Sequence, residues 1–329
     1  MNRSISIHMK ISSKTPSPKR LLIPRPIKAG EAVGIVAASS PPKQELLLRG
    51  LRFLEETGFK VREGSHLAER NAYLAGDDNQ RCQDLNAMLR DPTVRAIFFA
   101  RGGYGVMRLL DSIDHEAIIA DPKMLIGMSD ITALQLSIYT RCGLVTVSGP
   151  MVAGQVGEGL DRVSENSLKQ ALTESFTGRN LLPSRNRTIR IVRAGKASGA
   201  LIGGCLSLVT SLLGTRHYPK FGDAILFLED IHEPPYRIDR MFTQLNLAGV
   251  LTKVSGFILG HFIGPDGEDL SLEAEGILLN LIGRRPIPVI SGFPHGHTLP
   301  NLTLPHGVPV RLDTEDRTIV VLAGNKSAS

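Results

Sequence analysis

The sequence places a serine where a buried strand turns into a helix. In "LIGMSDITALQLSIYTRCG" (125–143) an apolar run stops at Gly127, Ser129 and Asp130, after which Ile131, Leu134, Ile138 and Cys142 recur at helical spacing. Two chemistries suit a serine at such a corner. It can cap the helix, its oxygen accepting free N–H groups of the first turn. It can also be a nucleophile on a tight strand-to-helix elbow that lifts the hydroxyl above the sheet. The segment reads G-M-S-D-I and lacks the second glycine of the G-x-S-x-G form, so spacing alone leaves both open.

A nucleophilic serine needs partners. A hydroxyl of ordinary pKa requires an imidazole to take its proton and an acid to hold that imidazole in the right tautomer. Ligands in open parallel sheets sit beyond the carboxyl ends of the strands, so the residues expected there form a census of the chemistry available. They are Ser39 and Ser40, the loop "RGGYG" (101–105), Ser129 and Asp130, Glu229 and Asp230, Gly260 and His261, and the stretch 294–297 with His295 and His297. Glu229 and Asp230 are adjacent on a strand end and point to opposite sides, so one of them at most can face a histidine. Oxyanion donors are available in the N–H of Asp130 and the N–H of Gly102 or Gly103, where missing side chains let backbone approach a substrate. As a phosphate loop, "RGGYG" has neither a GK[ST] ending nor a G-x-G-x-x-G match. The H-x-H pair His295 and His297 would suit a metallohydrolase, yet no H-E-x-x-H or cysteine cluster accompanies it. A non-catalytic α/β ligand-binding protein, with Ser129 only capping a helix, is the other alternative.

The elements that must position these residues are legible as alternating strands and helices. "AVGIVAASSP", "KVREG", "VRAIFFARGGYG", the run before Ser129 and "LVTVSGPM" read as strands with helical stretches between them. This predicts an N-terminal parallel-sheet α/β domain over 29–151. Residues 152–198 are weakly patterned and read as a linker with some β character. A second, mixed α/β domain follows over 199–329, with Cys205, Leu208, Val209, Leu212 and Leu213 as a helical stripe. Its end, "GVPVRLDTEDRTIVVL", alternates as a hairpin around 314–316.

Length and composition agree with that division. A chain of 329 residues is long for one core, and a hydrophobic share of 42% with near-zero mean hydropathy fits a globular protein. No apolar run approaches the ~20 residues of a membrane span. The net charge of +6 suggests nucleic acid, but seven basic residues and no acid lie in 1–28, which leaves the remainder at about −1. No nucleic-acid partner is therefore expected, and 1–28 read as a disordered basic tail. Three widely spaced cysteines, Cys82, Cys142 and Cys205, suggest neither a zinc ribbon nor a disulfide framework and suit a reducing cytoplasm.

Five segments together, "FFARGGYGVMRLLDSID", "LIGMSDITAL", "GALIGGCLSLVTSLLGT", "LFLEDIHEPPYRIDRMFTQL" and "ISGFPHGHTLPNLTLPHG", resemble the signature segments of the LD-carboxypeptidases. These serine peptidases include the murein tetrapeptide carboxypeptidases and the microcin C self-immunity proteins. The resemblance runs from about residue 30 to 322. It implies a nucleophile at Ser129, an acid at Glu229 and a base at His297, the last chosen over His295 by the match alone. It also implies oxyanion donors at Asp130 and in the Gly102–Gly103 pair, a triad shared between two domains, a homodimer, and no metal or organic cofactor. The substrate implied is a small cytoplasmic murein tetrapeptide losing its terminal D-alanine from an L,D bond, with Arg101 a candidate for holding a carboxylate. The alternative is a peptidyl- or aminoacyl-adenylate analogue, bound in the immunity branch on an aromatic platform. The absence of tryptophan and the presence of only five tyrosines lean towards murein.

Overall fold

The computed structural model of the chain describes residues 20–182 and 188–323. Five strands, β1 (Ala32–Val36), β2 (Lys60–Glu63), β3 (Val94–Phe99), β4 (Met124–Gly127) and β5 (Thr146–Ser148), form a parallel sheet in the order β5-β4-β3-β1-β2. The central strands are apolar apart from Arg95 of β3, as expected when helices cover both faces. Those helices include α1 (Gln44–Glu56), α2 (Asp78–Arg90), α3 (His115–Ala120) and α4 (Ile131–Cys142). Asp77 and Gln80 start α2 with a reciprocal capping box.

The second half builds its own sheet. Strands β6 (Arg190–Arg193), β7 (Lys196–Cys205), β8 (Ile225–Ile231), β9 (Gly256–Ile263) and β10 (Val289–Ser291) are joined by α6 (Leu206–Ser211), α7 (Pro235–Leu247) and α8 (Ser271–Ile282). Strands β7 to β10 are parallel, and β6 closes one edge antiparallel to β10. At the other edge β12 (Pro309–Asp313) and β13 (Thr318–Val321) form the hairpin that the alternation predicts, and β12 pairs antiparallel with β7. Ile238, Met241, Phe242 and Leu245 of α7 are all buried. They share one apolar core with Ile97, Leu134 and Ile138 of the first half.

Between β10 and β12 the chain leaves the second sheet and adds β11 (Leu304–His306) antiparallel to β5, so the first sheet has six strands. Residues 292–303 are therefore the crossing from one sheet to the other. The sequence pattern did not suggest this return, because three residues carry too little periodicity to read.

Four further segments differ from the sequence reading. Residues 21–28 do not hang free with the tail: Leu22 pairs with Leu144, and Ile27 is buried with its N–H bonded to Leu172. The tail up to residue 19 lies outside the described residues. The stretch 106–112 is a 3₁₀ helix rather than a continuous α-helix. Cys205 ends β7 instead of lying on a helical stripe. Within 152–198, a kinked wide turn (Val152–Val156) and the helix α5 (Arg162–Thr173) precede β6. Asp161 caps α5 through the N–H groups of Val163 and Ser164.

The join between the sheets holds an unusual group. His306 in β11 is fully buried, and neither ring nitrogen has a hydrogen-bond partner. Tyr139 and Phe227 meet it edge-on, each 6.0 Å between ring centroids. Burial pushes its pKa down to about 3 from the ordinary 6.5. The unfolded chain takes up a proton near pH 6.5 that the folded chain refuses until about pH 3, so this ring's contribution is intact above 6.5 and is lost as pH falls between the two. The slope is about 1.4 kcal/mol per pH unit. His306→Leu should flatten that slope and spare the burial of unpaired nitrogens, raising stability by about 1–2 kcal/mol at neutral pH. Urea unfolding at pH 7.5 and 5.5 checks this, the expected sign being an advantage for the variant that widens at the lower pH.

Candidate active site

The site begins at the end of β4. Ser129 has φ +61°, a left-handed conformation rare for a residue with a Cβ. The turn closes through Ile131 N–H to Met128 O (3.2 Å) and Thr132 N–H to Ser129 O (2.8 Å). No side-chain hydrogen bond caps α4, so the serine is not occupied as a cap. Strain of this kind needs surrounding structure to hold it. Asp130 supplies part of that hold. Its buried carboxylate accepts from Ser39 Oγ (2.6 Å) and from Val106 N–H (2.8 Å), tying the corner to the end of β1 and to the 3₁₀ helix. Burial raises the pKa of Asp130, although both hydrogen bonds act against that.

The glycine-rich loop 101–105 packs directly on the serine. A Cβ built on Gly102 would lie 2.8 Å from Ser129 Cβ and 2.9 Å from its Oγ, so only glycine fits. Gly103 faces the other way, where a Cβ would strike Ser40 Oγ at 2.3 Å. The two glycines that spacing could not separate are thereby distinguished, Gly102 against the serine and Gly103 against the end of β1. Arg101, exposed, lines the cleft and donates to Pro41 O (3.1 Å).

The second sheet supplies the acid, and the crossing that follows β10 supplies the imidazole. Glu229 and Asp230 lie near the end of β8, both buried, and they bond to different partners. His297 Nδ1 donates to Glu229 Oε2 at 2.7 Å. Asp230 instead accepts from Ser207 N–H (2.7 Å), Ile231 N–H (2.8 Å) and the Cys205 thiol (3.2 Å). Glycines let the loop close on the acid: a Cβ on Gly296 would sit 2.5 Å from Glu229 Oε2, and one on Gly260 3.0 Å from Glu229 Cβ.

The two histidines of the H-x-H pair have different environments. His295 is buried, its Nδ1 donating to Leu302 O (2.7 Å) and its Nε2 accepting from Ser148 Oγ (3.1 Å). Burial lowers its pKa, which leaves a neutral ring with both nitrogens used. His297 keeps Nε2 free beside the cleft. Burial works against its charged form, but the charge and hydrogen bond of Glu229, with the charge of Asp230, carry its pKa above 6.5. His261 lies within β9, away from the cleft.

Ser129, Gly102, Gly103, Arg101 and His297 all line one cleft of about 580 Å³ between the halves, as do Asp230, Cys205 and His232. Burial, with the neighbouring Glu229 charge, pushes Asp230 up to about 6. Sequence reasoning missed Cys205 and His232 as wall residues. Cys205 was concealed by the misplaced helix start, and His232 follows the strand without a patterning signal. An imidazole held in one tautomer, a serine on a strained corner and backbone N–H groups beside it can together carry out acyl transfer. Among the described residues, no helix is long and apolar enough to cross a membrane.

Comparison with known proteins agrees with this architecture. The LD-carboxypeptidase N-terminal domain matches residues 33–149 and the LD-carboxypeptidase C-terminal domain matches 198–312. A probable murein peptide carboxypeptidase of Bacillus subtilis is 38% identical, over 92% of this chain and 94% of its own. The microcin C7 self-immunity protein MccF of Escherichia coli is 31% identical, over 91% of this chain and 95% of its own. The solved structure of MccF in the wild-type apo state superposes with a TM-score of 0.84 at 29% identity, covering 92% of this chain and 98% of that one. With both domains matched in order and relatives aligned over nine tenths of its length, the chain belongs to the LD-carboxypeptidase family.

Proposed function

We propose that the protein is a serine carboxypeptidase that releases the terminal D-alanine of a murein tetrapeptide by cleaving its L,D peptide bond, in the cytoplasm, during cell-wall recycling. The observation that carries this reading is the Glu229–His297 hydrogen bond at 2.7 Å beside the cleft that Ser129 lines. In this scheme Nδ1–H of His297 is fixed by Glu229, so Nε2 is the basic nitrogen and takes the proton of Ser129 as Oγ attacks the carbonyl. The N–H groups of Asp130 and Gly102 receive the developing oxyanion, and His297 returns its proton to the leaving amine. Water then repeats the sequence on the acyl-enzyme. Arg101 is assigned to a substrate carboxylate. The reading includes a homodimer and no cofactor.

Hydrolysis of a peptidyl- or aminoacyl-adenylate analogue is the second reading, supported by the likeness to MccF. The higher identity to the murein peptide relative and the absence of any tryptophan to stack a base favour the first. Incubation with the murein tetrapeptide and with an aminoacyl-sulfamoyl adenylate, followed by mass analysis of the products, decides between them. Free D-alanine from the tetrapeptide is the expected result, and turnover of the adenylate alone would replace it with the second reading.

Ser129→Ala and His297→Ala should each lower kcat by about 10⁴- to 10⁶-fold with the fold intact by circular dichroism, because members of a triad act as a unit. Near-normal hydrolysis by Ser129→Ala would end the serine-peptidase reading.

The pH profile gives a separate check. His297 must be neutral to act, so kcat/KM should fall as pH drops through a pKa above 6.5. Glu229→Gln removes the charge that raises this pKa and leaves the burial that lowers it. The acid limb of the residual activity should therefore move to lower pH, and a limb that stays in place would detach Glu229 from His297.

A further inference from the structure

His297 lies on neither sheet but in the crossing between them, so something must hold that crossing still. The hydrogen bonds around it form a closed arrangement. Gln155 Nε2 donates to Gly296 O (3.0 Å) and to Thr298 O (3.4 Å), the two carbonyls that flank His297. Gln155 Oε1 accepts from Asn301 Nδ2 (2.6 Å), and Asn301 Oδ1 accepts from Gly296 N–H (3.2 Å), which closes the ring. Asn301 is fully buried and also reaches Met128 Sδ at 3.3 Å, one residue before Ser129.

Gln155 is itself anchored to the first half. It sits in the wide turn Val152–Val156, where Ala153 N–H donates to Ala100 O (2.7 Å) just before the glycine-rich loop. A Cβ on Gly50 of α1 would lie 2.1 Å from Val152 O, so helix and turn pack backbone to backbone. One side chain thus links the frame of Ser129 and Gly102 to the loop that carries the imidazole.

We infer that Gln155, braced by Asn301, is a positioning residue that sets His297 against Glu229 and Ser129. The inference rests on the Ser129–Glu229–His297 reading. An amide is suited to this task because it donates to the loop carbonyls and accepts from Asn301 at once. Losing it leaves the Gly296 and Thr298 carbonyls without this donor and frees the loop to drift, and a displacement of about 1 Å at a reacting group costs on the order of 100-fold in rate.

The test uses the full-length enzyme with Gln155→Met, which keeps the length and packing but has no amide, and with Gln155→Glu, which sets a carboxylate against the two carbonyls. Active sites are counted with a serine-reactive probe, so that misfolded protein does not enter kcat. For Gln155→Met we expect kcat lower by about 10- to 100-fold, KM within about two-fold, and an acid limb moved to lower pH as the Glu229–His297 bond loosens. The downfield imidazole Nδ1–H resonance of His297 should weaken or shift in the same variant, a readout independent of turnover. Gln155→Glu should lose at least as much kcat. Wild-type kcat, pH limb and imidazole resonance in Gln155→Met would overturn the proposal. So would a loss confined to KM, which would make Gln155 a substrate contact. Ser129→Ala, run alongside, separates the outcomes: its inactivity upholds the serine reading whatever Gln155 does, and its activity would remove that reading first.

Discussion

A carboxylate taken out of water must find a partner, and Glu229 is only 1% exposed. Burying an unpaired charge costs several kcal/mol, so the hydrogen bond from His297 Nδ1 serves the fold as well as the proposed chemistry. Because the partner is an imidazole, satisfying the acid also fixes the ring's tautomer and direction. Close backbone approach makes the bond possible: Gly260 and Gly296 leave no side chain between acid and loop. A methyl at Gly296 would occupy the space of the carboxylate oxygen. Glycine here trades chain flexibility for proximity, as Gly102 does against Ser129.

That bond lies wholly within the second half, whereas Ser129, the proposed nucleophile, belongs to the first. The halves therefore have to be registered, and three features of the chain do so. A common apolar core runs from Leu134 and Ile138 in α4 to Leu206 and Phe242. Gly204 brings β7 against α4, with Cys205 N–H donating to Thr132 Oγ1 at 3.2 Å and no room for a Cβ beside that threonine. Finally, β11 returns the chain to the first sheet directly after the histidine loop. A hinge between independent domains is incompatible with this stitching, because opening the cleft would strip β11 from β5 or carry His297 with it. The cleft is therefore shaped largely by the fold itself, as expected of a site whose reacting groups need sub-ångström placement.

What the sequence made legible follows from range. Strand alternation separated Glu229 from Asp230, and the serine corner was visible because a buried strand, a glycine and a helical stripe lie within twenty residues. His295 and His297 stand two apart in an irregular loop, where no period says which ring is enclosed. Ser148 and Leu302, one of them 147 residues away, help decide it. The segment 152–198 read as a linker because polar residues outweigh its one short helical stripe, Ser164, Leu168, Ala171 and Leu172 of α5. Its physical role explains that pattern. A buried, irregular loop has carbonyls and N–H groups that no sheet satisfies. Here they are met by side chains from this segment: Gln155 on Gly296 and Thr298, Ser164 on Asn301 N–H at 2.7 Å, and Ser167 on Thr303 N–H at 2.9 Å. A stretch that spends its glutamines and serines on a neighbour's backbone looks like solvated polar chain when the neighbour is unseen. The weakest signal in the sequence thus fell where side chains complete another segment's hydrogen bonds, which is also where the imidazole is held.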